Sequence, residues 1–325
     1  MANPETTSTL SSNLHTYYHK MLLETAKKSL KFFGLGKKRI HPKGNGKDSY
    51  MLKFGHVAAS TDELTEGVTP GSATIATNKY TVTVKQYGQY LALSDFLVMT
   101  AIDPVLEDVS KELGYTAALS TDQIIRNNLV ANATTNIQYV GSGNTADNDI
   151  GSTDIFTAPD VLKAVRVLRG TDAPAFEDGL YRWLVHPYIG VDIMSDTSAG
   201  GFIELNKYVD GLADGPLNGE IGKVYGARVL ESSNISSEAN SGPVNVYRTF
   251  VFAKDSFAVT SFDKDHVDLI VKQQGSAGTA DPLDQIATAG YKLQFGVKYV
   301  GGSFSNHNAA SPDLAIQIRG AATGG

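Results

Sequence analysis

Apolar and polar positions along the chain repeat with two different periods, and the change between them marks its longest feature. From Lys79 the residues Tyr80, Val82 and Val84 fall on one face, the two-residue repeat of a half-buried strand. Tyr87, Leu91 and Leu93 then occupy the opposite parity, so a bulge that re-aims the strand is expected at Gln86–Gly88. Further on, Asp103 and Pro104 suit the Ncap and N1 positions of a helix, and Glu107 and Asp108 complement the positive end of its dipole. Val105, Leu106, Val109, Leu113, Ala117, Ile124 and Leu129 continue an apolar stripe to about Val130, a helix of roughly 40 Å. The stretch Asn78–Asn132 therefore reads as a strand feeding one unusually long helix, with nothing in it that resembles a reaction centre.

Upstream, residues 13–33 predict an amphipathic helix, with Tyr17, Met21, Leu22, Ala26 and Leu30 at three- and four-residue spacing and Gly34 and Gly36 beyond its end. A turn-rich loop over 41–46 leads to a strand from Ser49 to Val57 carrying Tyr50, Leu52 and Phe54. Between this strand and the one at Lys79 lies a small, polar, acidic segment, Ala58–Thr77, with Asp62, Glu63, Glu66, Gly67, Pro70 and Gly71. A loop of that length without structure of its own is usually functional or mobile. Two strands with a long tip describe a projecting arm, too poor in apolar surface to be stable alone. A neighbouring subunit is the expected support, ahead of a role as an active-site lid.

Downstream the signals are shorter. A strand is expected at Ile137–Val140, a helix at Val161–Leu168 opened by Ala158-Pro159-Asp160 and closed by Gly170, and a buried strand at Trp183–Val185. After the turn His186-Pro187 comes a short helix over 188–196, with loops at Gly200-Gly201, 210–219 and 275–284. Strands follow at Lys223–Leu230, Val244–Phe252, Val267–Val271, Tyr291–Val300 and Leu314–Arg319. Helices and strands mix without a regular βαβ repeat, which is an α+β pattern.

Composition narrows the function classes. The 325 residues are 42% apolar and 19% charged, an ordinary globular balance, and no run approaches the roughly 18 apolar residues of a membrane span. The segment from Met1 to Ser12 lacks the character of a secretory signal. The absence of cysteine excludes disulfides, thiolate catalysis and cysteine-based zinc sites. Charge is uneven: residues 1–47 carry nine Lys/Arg against two Asp/Glu, a net of about +7, which leaves about −13 for the remainder. A basic arm on an acidic body suits acidic neighbours or a polyanion. The equally open reading is a solvated basic segment, because Lys27, Lys28, Lys31, Lys37, Lys38 and Arg39 cluster without a base-reading motif.

Candidate chemistry is thin. Gly44-Asn45-Gly46-Lys47 runs into Asp48 and lacks the upstream glycine of a phosphate-binding loop. His15 and His19 lie at i and i+4 but have no third ligand nearby, and His186 before Pro187 suits a turn hydrogen bond. Asp147, Asp149, Gly151 and Asp154 resemble a calcium loop, yet Ala158 stands where the bidentate glutamate belongs. Asp263, Asp265 and Asp268 read as a solvated turn. No catalytic residue, cofactor or metal is expected.

Four stretches carry a resemblance. They are Glu66-Gly67-Val68-Thr69-Pro70; Thr83 to Tyr90 through Ser94-Asp95 to Asp103-Pro104; Gly219-Glu220-Ile221-Gly222 with Tyr225-Gly226-Ala227-Arg228-Val229; and Asp281-Pro282-Leu283 leading to Gly290-Tyr291-Lys292. In this order and spacing the chain resembles the major capsid proteins of tailed double-stranded DNA bacteriophages, of the podovirus-type coat-protein family. The resemblance implies the Hong Kong 97-like capsid fold. It assigns residues 1–47 to an N-terminal arm, 48–95 to an extended E-loop, and 96–154 to the spine helix and adjoining loop of a peripheral (P) domain. Residues 155–245 would supply most of an axial (A) domain, and 246–325 the P-domain sheet and C-terminal strands, with the strands near 250–272 and 291–300 beside the spine helix.

The function implied is structural, not enzymatic: self-assembly into pentamers and hexamers of an icosahedral head that encloses double-stranded DNA. Implied partners are further copies of the chain, a separate scaffolding protein, a portal, decoration proteins and non-specifically contacted DNA, with no membrane. The location would be the virion, assembled in the bacterial host cytoplasm. Two departures bear on this. Some relatives cross-link an E-loop lysine to a P-domain asparagine, but no lysine lies between Gly55 and Asn78, so covalent chainmail is not expected. Others carry a long cleaved scaffolding segment, whereas about 40 residues precede the E-loop, which points to a separate scaffold. Without covalent links, contacts must come from buried area and salt bridges: Asp62, Glu63 and Glu66 at the tip against a neighbour's basic patch, with Lys37, Lys38 and Arg39 as candidates. The alternatives are an enzyme with a long lid loop and a nucleic-acid-binding protein acting through the basic arm.

Overall fold

A computed structural model describes residues 30–54, 57, 59–75, 77–100, 105–196, 220–262, 267–276, 281–301 and 314–323. Two mixed sheets share one core. The first is built on β13 (Ile286–Tyr299), which pairs antiparallel along its length with β4 (Lys85–Ser94). On the other side of β13 lie β11 (Phe257–Ser261) and β12 (Val267–Lys272), both antiparallel, and β1 (Lys37–Ile40) extends this sheet by pairing parallel to β11. The alternation seen in the sequence at Tyr291, Leu293 and Phe295 turns one face of β13 into core.

The second sheet has seven strands. These are β5 (Ile137–Tyr139), β6 (Tyr181–Val185), β7 (Glu220–Val224), β8 (Ala227–Glu231), β9 (Ser236–Ala239), β10 (Asn245–Phe252) and β14 (Ala315–Gly320). Their order is β5-β14-β10-β6-β8-β7, with β9 also paired to β10. Both faces are covered, which is why all five residues of β6 are buried. Trp183, Val185, Val229 and Val251 point towards α3 (Ala158–Gly170) and α4 (Pro187–Ser195), where Val161, Leu168, Ile189 and Ile193 complete the cluster. Leu184, Leu230, Phe250 and Phe252 point the other way. They meet α2 (Val105–Asn132), through Leu113, Ile125 and Leu129, and the apolar face of β13. The long helix is thus wedged between the sheets. Its 28 residues correspond to about 42 Å.

Local signals explain the helix ends. Thr157 caps α3 in a capping box with Asp160, its hydroxyl donating to the carboxylate at 2.7 Å while Asp160 also accepts from the Thr157 amide at 3.1 Å. At the entrance to α4, His186 is the N-cap and its ring nitrogen accepts from the Tyr188 amide at 3.3 Å. Asp103 and Pro104 lie outside the described residues, as do His15, His19 and most of the expected 13–33 helix. Where that segment is described, Phe32–Gly34 forms a single 3-10 turn and not the last turn of an α-helix.

Several expectations change. The parity shift is not a bulge at Gln86–Gly88: the strand breaks at Val84, between β3 (Thr77–Thr83) and β4, because the two halves join different sheets. A short helix, α1 (Asp95–Thr100), follows β4 directly. The single strand expected over Lys223–Leu230 is a hairpin of β7 and β8, turned at Tyr225 and Gly226 with φ of 45° and 87°, a two-residue turn that demands positive φ at both positions. The strands expected together beside the long helix divide: β11, β12 and β13 share the first sheet, whereas β10 joins the second, paired with β6 and β14. β1, β9 and β11 are additional strands that carry weak or no alternation; β1 and β11 gain their hydrogen bonds from distant partners, and β9 from the adjoining β10.

Candidate assembly surface

β2 (Asp48–Phe54) and β3 form a two-stranded antiparallel hairpin, registered from Asp48↔Thr83 to Phe54↔Thr77, which belongs to neither large sheet. Its inward side, with Ser49, Met51 and Val82, is buried, and Met51 and Val82 pack on Ala258 of β11. The hairpin crosses β13 at Gly296, where any Cβ would collide with the Thr83 carbonyl, so only glycine permits the crossing. Its outward side presents Tyr50, Leu52 and Phe54, the last two more than 60% exposed. The Lys79 ammonium sits 3.7 Å from the centre of the Tyr50 ring.

Beyond Phe54 every residue from 59 to 75 is exposed, including Leu64, Val68 and Ile75. Asp62, Glu63 and Glu66 lie in this tip, and no ion pair among the described residues involves them. An isolated monomer gains nothing from such a segment, since it buries no apolar area of its own.

The other predicted contact residues are gathered on β1. Lys37 pairs with Asp255 at 3.2 Å, Lys38 lies 4.5 Å from the Phe33 ring centre, and Arg39 donates to the Tyr50 carbonyl. β1 therefore ties the root of the hairpin to the first sheet. Beside it opens a cleft of about 510 Å³, rimmed by Lys37, Lys38, Arg39, Lys53 and Lys254. Asp172 and Asp255 are its acidic members, and Met51, Pro174, Val300 and Leu314 contribute apolar lining. Burial lowers the pKa of Lys53. The structure thus joins Lys37, Lys38 and Arg39 in one place, adds Lys53 from the following strand β2 and Lys254 from a distant part of the chain, and leaves the acidic tip separate from them. Sequence spacing offered no signal for that addition, because Lys254 reaches the site through the pairing of β11 with β1.

One buried carboxylate was also missed. Asp122, on α2, is 2% exposed and accepts from the backbone amides of Lys31, Phe32 and Phe33 at 2.8, 3.4 and 3.3 Å. It caps the turn at Phe32–Gly34 and fastens the end of the N-terminal segment to the long helix, while the fully buried Phe32 ring meets Phe252 edge-on. Burial pushes its carboxyl up to about 6, and the three amides and Lys31 pull against that shift. The signal was available: Asp122 stands four residues after Ala118 and three before Ile125, inside the apolar stripe.

The aspartates of the calcium-like loop are engaged in structural bonds. Burial works to raise the pKa of Asp147, but Arg319 and Arg248, at 2.8 and 3.0 Å, hold it below the usual carboxylate range. Asp149 accepts from Thr145 and Ala146, and Asp154 from Asn144 and Gly151. Asp263 and Asp265 lie outside the described residues. No cluster of three or more metal-ligating side chains occurs among the described residues, and no helix there is long and apolar enough to cross a membrane.

Among the described residues the hairpin tip is uncovered, and the aspartates of the polar clusters on the body are engaged in structural bonds. Residues 78–300 match the family of phage capsid proteins, and the chain belongs to that family. No curated protein matches the sequence. The fold is similar to the capsid of Ralstonia phage GP4, with a TM-score of 0.69 at 13% identity over 91% of this chain and 92% of the other. It is also similar to the head structure of Helicobacter pylori bacteriophage KHP40, with 0.63 at 10% identity over 90% and 92%. The capsid of cyanophage P-SCSP1u gives 0.59 at 16% identity over 91% and 89%. The α+β architecture is accordingly that of the Hong Kong 97-like capsid fold. The chain is a structural capsid protein, not an enzyme, which assembles with itself into capsomers of the virion shell.

Proposed function

We propose that the chain is the subunit of an icosahedral head of pentamers and hexamers that encloses double-stranded DNA, assembled in the bacterial cytoplasm. The observation that carries this reading is the hairpin, whose outward stripe and tip are solvent-exposed in the single chain and need a neighbour to be covered. In this reading residues 1–47 are the N-terminal arm, fastened by Asp122, and 48–95 contain the E-loop. The long helix with the five-stranded sheet is the P domain. The seven-stranded sheet with α3 and α4 is the core of the A domain, to which β10 and β14 return from the C-terminal part of the chain.

Asp62, Glu63 and Glu66 act as assembly contacts to the neighbour's Lys37, Lys38 and Arg39. A separate scaffolding protein, a portal and decoration proteins are the further partners, and the packaged DNA is met without base reading. Electron microscopy and sedimentation of the chain, expressed alone and with its scaffold, test the reading. Shells, sheets or capsomers are expected; a strictly monomeric protein under all assembly conditions overturns it.

A further inference from the structure

The proposed contacts say which charges meet but not where a tip could lodge, and the cleft beside β1 has the required shape and chemistry. Its rim carries five cations, Lys37, Lys38, Arg39, Lys53 and Lys254, against the two carboxylates Asp172 and Asp255. One of those carboxylates is already engaged by Lys37 at 3.2 Å. The tip has the complementary composition: three acids, no lysine or arginine between Gly55 and Asn78, and the exposed apolar side chains Leu64, Val68 and Ile75. The lining formed by Met51, Pro174, Val300 and Leu314 offers such side chains an apolar bed, and about 510 Å³ is room for several of them. No residue of the tip lines the cleft in its own chain.

We propose that this cleft is the seat of the acidic hairpin tip, residues 59–75, of a second copy of the chain. The inference rests on the reading of the chain as a self-assembling shell subunit and adds the location and polarity of the link. Tip and cleft are different surfaces, so the contact is heterologous: each copy gives one tip and receives one, and a ring closes when the rotation between copies allows it. The cleft lies at the root of the same hairpin that supplies the tip, with Met51, Leu52 and Lys53 of β2 in its wall. Seating a neighbour's tip therefore braces the root from which the receiving copy extends its own. Such a link weakens with salt, because both halves are exposed until they meet.

The natural absence of cysteine makes the test clean. A chain carrying both Glu63→Cys and Lys254→Cys is assembled, oxidised and run on non-reducing gels beside each single variant. The expected result is a ladder of covalent oligomers from particles of the double variant only. Particles that form normally but yield no ladder overturn the seat while leaving the shell function standing. A shifted monomer without a ladder also overturns it, since the tip then lies on its own root. Failure of the unsubstituted chain to form any particle removes the shell reading and the seat with it.

Charge reversal gives an independent reading. Lys38→Glu with Lys254→Glu should lower particle yield about tenfold, and adding Asp62→Lys, Glu63→Lys and Glu66→Lys to the same chain should restore it. The melting temperature of each unassembled variant serves as the fold control. A loss of particles that follows a loss of folding, or that the second set of reversals does not repair, counts against the proposal.

Discussion

The hairpin and the seven-stranded sheet are both built from apolar-rich strands, yet they differ in what covers them. β6 is buried at all five positions because helices lie on one face and the long helix with β13 on the other. β2 is buried on one side only, and its Tyr50, Leu52 and Phe54 face solvent. The difference is one of partners, since strands of similar apolar content become core where the chain supplies a second layer and interface where it does not. Stability of the single chain should therefore reside in the sheet, and stability of the assembly in the hairpin.

The largest effect should come from Trp183→Ala. The indole is fully buried, packs near Phe156 and donates to the Thr249 hydroxyl at 3.2 Å. Its loss should cost the monomer about 3–5 kcal/mol, read as a lower denaturant midpoint. A smaller change would break the claim that the two-sided sheet dominates the fold.

Next comes Asp122, at the join between the arm and the body. Its folded-state pKa of about 6 exceeds the ordinary 3.8, so the folded chain binds this proton more tightly than the unfolded one. Stability from this group is therefore highest below about pH 4 and falls as pH rises to about 6, by about 3 kcal/mol in all. Subtracting the unfolding free energies of Asp122→Asn from those of the unsubstituted chain between pH 4 and 7 should isolate that slope. Parallel curves would refute it.

Thr157→Ala removes the hydroxyl half of the capping box and should cost about 1 kcal/mol in the same denaturant assay. This change acts within the second region and should leave assembly of the folded fraction intact. The smallest effect on the monomer is expected from Leu52→Ala with Phe54→Ala, within about 0.5 kcal/mol, because both side chains are already exposed. Their assembly yield, measured by sedimentation, should nevertheless fall. Equal loss of monomer stability and of assembly would erase the contrast between the two regions.

Much of this architecture was legible because its determinants are local. The 3.6-residue stripe from Val109 to Leu129, the helix start at Ala158-Pro159-Asp160 and the alternation at Tyr291, Leu293 and Phe295 each fall within a few turns or one strand of sequence. The same local reading located the projecting arm and its acidic tip. What it could not reach was decided by pairing across long separations. Val84 ends a strand because its two sides join different sheets, and β1 is a strand only because β11 hydrogen-bonds to it 221 residues away at Lys37↔Ala258. Asp122 is a cap only because Phe32 folds back onto the long helix. Periodicity records which face of an element avoids water; which other element provides the shelter is a property of the whole packed chain, and for the hairpin it lies outside the single chain altogether.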